Sequence, residues 1–119
     1  MLEVSFLRDD RGRLAAVRAF GHADFAVAGE DVVCAGVSAI LQAARLGLEE
    51  HAKIPLEATQ QSGELEMAWP AGVRDDPAVV AIVETAELAV RQIAEQFPQH
   101  VHIVHARRGG ATTRPNAGK

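Results

Sequence analysis

Cysteine occurs once in this 119-residue sequence, tryptophan once and tyrosine not at all. The lone Cys34 excludes an intramolecular disulfide and a cysteine-rich zinc site, and it fits a reducing compartment. Trp69 is the only indole, so it is the one candidate for a large aromatic anchor, at a core edge or at a dimer interface. Uninterrupted apolar runs are short. None approaches the ~18 residues of a membrane span. Glu3, Arg8, Asp9 and Asp10 break the first twenty residues where a secretory signal would carry its apolar core. A glycine-rich phosphate loop is missing, so no nucleotide cofactor is expected. Repeats, low-complexity blocks and long linkers are also lacking, which fits one domain. The expectation is a cytoplasmic chain without membrane contact.

Acid is lacking only at the end. Residues 1–106 hold all sixteen acidic side chains against eight basic ones, a net charge of −8. Residues 107–119 carry Arg107, Arg108, Arg114 and Lys119 and no acid. An acidic body argues against general nucleic-acid binding, because phosphate affinity needs a basic surface. Residues 107–119, with Gly109, Gly110 and Pro115, read as a basic disordered tail. Only this tail offers a weak contact to a ribosome or RNA. The domain itself is assigned to residues 1–106; a chain of this length, 48% hydrophobic over all 119 residues, can bury roughly two-thirds of its unfolded surface.

Periodicity gives the order of elements. Leu2, Val4 and Phe6 alternate with polar residues as in a strand with one buried face. Asp9-Asp10-Arg11-Gly12 supplies turn chemistry, and residues 14–20 form the returning strand. From Val32 the period becomes 3.6: Val33, Val37, Ile40, Leu41, Ala44 and Leu48 make one stripe on a helix running to about His51, with Asp31 as its N-cap. Residues 56–59 and 64–69 form a second hairpin around Gln61-Ser62-Gly63, with Glu64 and Glu66 on its solvent face. Asp76-Pro77 caps a second helix, striped by Val79, Val83, Ala86, Val90 and Ile93 until Pro98 stops it. Residues 101–106 are the last strand. The order ββαββαβ predicts an α+β two-layer sandwich. Its five-stranded sheet is antiparallel or mixed, with both helices on one face.

One constellation has chemistry in it. Cys34 falls near the start of the first helix, at the margin of its apolar stripe, and Ser38 follows one turn later. A helix N-terminus favours the thiolate, the reactive form of cysteine, and its N–H groups suit an oxyanion. Residues 23–30 have no period and are long enough to bring His22, at a strand end, back to Cys34 as base and acid. An ionised Asp31 opposes the thiolate. From the residues alone, a lone cysteine at a core margin is most often a small hydrophobe, and a histidine beside glycine at a strand end most often a turn residue. His100, His102 and His105 lie in or near the last strand, with no matching carboxylate or thiol run, so no metal site is expected.

Gly21, His22, Ala23, Gly29, Asp31, Val33, Cys34 and Ser38 together resemble the signature of the ribosomal-processing cysteine protease family (Prp, YsxB-like). Chain length, element order and the twelve-residue step from His22 to Cys34 fit the same pattern. Gly36 departs from it, standing where the family is expected to have alanine. The resemblance implies a cysteine endopeptidase and homodimer that removes the N-terminal extension of bacterial large-subunit ribosomal protein twenty-seven. Cys34 would be the nucleophile and His22 the general base and acid, with no cofactor. A mobile loop at 23–30 would carry Phe25 over the bound peptide. Gly21, Asp31 and Ser38 would shape the site. Two other readings stand beside it: a non-catalytic ribosome-associated module, and a redox-active thiol protein using Cys34.

Overall fold

The computed structural model describes residues 1–21, 30–61 and 63–107, without the side chains of Glu30 and Asp31. Strands β1 (Leu2–Arg8) and β2 (Leu14–Phe20) form the first hairpin. Gly12 turns it at φ +80°, and Asp9 gathers it. The Asp9 carboxylate accepts from the backbone N–H groups of Arg11 and Arg13 and from the guanidinium groups of Arg13 and Arg74. Burial alone would raise its pKa. The donors outweigh burial and hold the carboxyl well below the usual carboxylate range.

Helix α1 (Glu30–Gly47) continues into a π turn at Leu48–Ala52 that ends on left-handed Lys53. The helix begins one residue before the expected cap, so Asp31 lies inside its first turn and is not the N-cap. Strands β3 (Glu57–Gln61) and β4 (Glu64–Ala68) follow. β3 runs two residues further than its sequence pattern, because Gln60 and Gln61 pair with Leu65 and Glu64 through a ladder that needs no apolar side chain. Helix α2 (Pro77–Gln96) starts as the sequence indicates. Asp76 accepts from the Ala78 N–H at 2.8 Å, and Pro77 opens the helix. Strand β5 (Val101–Arg107) is the last element among the described residues. Arg107 therefore belongs to the sheet, one residue past the expected domain boundary; residues 108–119 of the basic tail lie outside the described part.

The sheet is mixed, in the order β3-β4-β2-β1-β5, with only β5 parallel to its neighbour. A parallel neighbour requires a crossover, which α2 provides. Register fixes which side chains meet the helices. Val4, Ala19 and Leu65 share one row, and Phe6, Val17 and Met67 the next; all six are buried. Val33, Val37, Leu41, Val79, Val83 and Val90 cover these rows from the helices. Both helices thus lie on one face, as the hairpin order implied. The other face carries polar pairs such as Arg18–Glu66, 2.8 Å apart.

Within Val32–Ala52 an 18-residue window reaches a mean hydropathy of 1.4, long and apolar enough by length and composition to cross a membrane. Gln42 and Arg45 interrupt it, so no uninterrupted apolar run of span length is present there. Its stripe is the core's own: Val37, Leu41 and Leu48 are fully buried against the sheet and α2. Trp69 is also a core residue, 3% exposed, with its indole N–H donated to the Leu14 carbonyl at 2.9 Å. The interface role is excluded for it. Glu87 is buried on the α2 stripe, where periodicity alone would place an aliphatic residue. Arg8 meets it at 2.9 Å, and Arg91 and His105 at 3.4 Å.

Candidate active site

Gly21 follows the end of β2 with φ +97° and donates its N–H to the Gly63 carbonyl at 3.1 Å. A Cβ at this position would collide with the Met1 carbonyl oxygen. Only glycine combines this close approach with a positive φ, which is the physical reason for the residue preceding His22. The bond to Gly63 ties the end of β2 to the β3–β4 turn.

Cys34 stands one turn into α1, two residues deeper than the sequence reading placed it, because the first helical residue is Glu30 and not Val32. Helical side chains tilt toward the N-terminus, so its sulfur reaches back over the first turn. Cys34 is half-buried and packs against the core margin. It is not sealed there. A groove of about 200 Å³ opens between α1 and the β2–β4–β3 side of the sheet, and Cys34 lines it. Ser38 and Gln42 continue the α1 wall; Gly21, Leu65 and Gln60 form the sheet wall.

The structure therefore brings Gly21, Cys34 and Ser38 to one groove, from elements separated in the sequence by residues 22–29. His22 and Phe25 lie outside the described residues, as does the side chain of Asp31. Gly63, Gln42, Gln60 and Gln61 are groove residues that sequence reasoning missed. Three of them sit on the second hairpin, and only the pairing of β4 with β2 carries that hairpin to the cysteine. Among the described residues, no three His, Cys, Asp or Glu side chains gather as metal ligands would. His105 turns to Glu87 on the helix side, and His102 is exposed.

The sequence profile of a family described as cysteine protease Prp matches residues 1–102. The chain belongs to the cysteine protease Prp family. Solved structures agree at the level of fold. An essential ribosomal processing protease Prp from S. aureus, in complex with a substrate peptide, superposes with a TM-score of 0.80 at 21% identity, over 88% of this chain and 99% of that one. The same protease with a covalently linked product peptide gives 0.77 at 21% identity, again over 88% of this chain and 99% of that one. SMU.848 from Streptococcus mutans gives 0.76 at 26% identity, over 91% of this chain and 96% of that one. Among curated proteins none matches the sequence. Prp proteins are cysteine proteases, and the one thiol in this chain is the one lining the groove.

Proposed function

We propose that this protein is a cysteine endopeptidase whose nucleophile is Cys34 and whose general base and acid is His22. Its proposed substrate is the N-terminal extension of large-subunit ribosomal protein twenty-seven in a bacterial cytoplasm. The observation carrying this reading is that Gly21, the residue bonded to His22, shares the groove with Cys34. His22 takes the thiol proton and the thiolate attacks the scissile carbonyl carbon. The tetrahedral oxyanion collapses, His22 protonates the departing amine, and a thioester to Cys34 remains. Water, deprotonated by His22, then attacks the thioester and releases the carboxylate and the thiol. The α1 N-terminus stabilises both anions. Ser38 hydrogen-bonds the substrate backbone, Asp31 shapes the site from the first turn of α1, and Phe25 covers the bound peptide.

The test is a peptide spanning the junction between the extension and the mature ribosomal protein. Cleavage at one bond by the parent, with none by Cys34→Ala or His22→Ala, supports the reading. An intact peptide beside a peroxide-reactive Cys34 would point to a redox thiol. Salt-sensitive ribosome binding through residues 107–119 without cleavage would point to a binding module. The protein is further proposed to be a homodimer. The outer surface between α1 and α2 carries an open apolar depression of about 460 Å³ lined by Ile40, Ala43, Ala81, Ile82, Thr85 and Ala89. A charge placed there, as in Ala43→Glu, should leave a monomer in sedimentation.

A further inference from the structure

At the far end of the groove from Gly21, a side-chain bridge joins the two walls. Gln42 of α1 donates its Nε2 to Oε1 of Gln60 on β3 at 2.8 Å. Arg45 donates to the same Gln60 oxygen at 3.3 Å and is itself steadied by Glu49 at 3.2 Å. Arginine only donates, so the Gln60 atom facing it is the carboxamide oxygen, which fixes the orientation of both amides. Gln60 Nε2 and Gln42 Oε1 are then left without a further hydrogen bond among the described residues. One is a donor and the other an acceptor. β3 is an edge of the sheet, and among the described residues no strand lies beyond it.

We infer that Gln42 and Gln60 form a backbone clamp for an extended peptide substrate: Gln42 Oε1 accepts the N–H, and Gln60 Nε2 donates to the C=O, of one and the same substrate residue. An extended residue presents its N–H and C=O to the same side, as in a hydrogen-bonded pair of an antiparallel sheet. Gln42 is eight residues beyond Cys34, or about 12 Å along α1. At about 3.3 Å per extended residue, the clamped residue stands three or four positions from the scissile bond. Such a clamp reads backbone and not side chain. It therefore sets reach and extension, admitting an unfolded terminal segment and rejecting a folded one.

This inference rests on the endopeptidase reading, and the experiment separates the two. A series of substrate peptides carries a single ester in place of one backbone amide, which removes one N–H at a time. With the parent, one ester three or four positions from the cut should raise KM about tenfold and leave kcat within twofold. Gln42→Leu should raise KM similarly and be insensitive to that ester. Gln60→Glu keeps acceptors for Gln42 and Arg45 but loses the outward donor. It should bind as poorly as Gln60→Leu, whereas a purely structural role would be rescued by it. Equal effects of every ester, or a parental KM for Gln60→Glu, would overturn the clamp while leaving the protease intact. Anisotropy of labelled peptides on Cys34→Ala reads the same pattern without turnover. No cleavage by the parent with the ester pattern retained in binding would remove the chemistry and keep the clamp; no binding removes both.

Discussion

Replacing Gly21 with alanine tests how tightly the site depends on one backbone position. Two costs arise together. An L-residue held at φ +97° costs on the order of 1–3 kcal/mol. The new methyl also meets the Met1 carbonyl oxygen, so the start of β1 or the end of β2 must shift. Gly12 separates the two effects, because it has φ +80° but nothing within 4 Å of a Cβ. Gly12→Ala should show the conformational cost alone, and Gly21→Ala should exceed it by about 1 kcal/mol or more. For a domain of this size each kcal/mol shifts Tm by roughly 4–8 °C, so Gly21→Ala should melt about 10–20 °C below the parent. Activity at a temperature where the variant is still folded should fall by more than the folded fraction explains, since Gly21 is the wall that His22 is attached to. Thermal unfolding followed by circular dichroism, with peptide cleavage at 20 °C, provides both readouts. A Gly21→Ala protein that melts with Gly12→Ala and cleaves like the parent would refute the argument.

Gly36 is the opposite case. A Cβ there would sit 3.7 Å from Ile93 Cδ1, an ordinary contact, so Gly36→Ala should stabilise by about 0.5–1 kcal/mol in chemical denaturation. For Asp9, a folded pKa below the unfolded one means stability that is fully present above about pH 4 and lost as pH falls toward the folded value. The stability gap between the parent and Asp9→Asn should therefore be widest near neutrality and narrow below pH 4 in an acid titration. Arg8→Met leaves the buried Glu87 with only its 3.4 Å neighbours and should cost about 2–3 kcal/mol, less than a fully buried pair because Arg8 is 32% exposed. Adding Glu87→Leu should restore most of that loss, as measured by urea unfolding of the double variant. Trp69→Phe gives up the bond to the Leu14 carbonyl and should cost about 1 kcal/mol or more.

Local signals made much of this fold legible. Asp9 and Gly12 specify the first hairpin through turn chemistry within five residues, and Asp76-Pro77 starts α2 through bonds to its own first turn. The apolar stripes of Val33–Val37–Leu41 and Val79–Val83–Val90 state which faces are buried because a helix repeats every 3.6 residues wherever it lies. Cys34 and Ser38, from their place on the helix, and Gly21, from the family resemblance, were legible as candidates, and the structure brings the three to one groove. Other features answer to contacts that sequence distance hides. Whether Trp69 met core or partner was settled by the Leu14 carbonyl, 55 residues away. Glu87 breaks its stripe because Arg8 comes to it from β1. Gln42 and Gln60 face each other only because β4 pairs with β2 and carries β3 under α1. Periodicity and capping are properties of neighbouring residues, so the chain itself determined its elements, their order and their buried faces. Strand order and the far wall of the groove depend on pairings between distant segments, and those exist only once the sheet has formed.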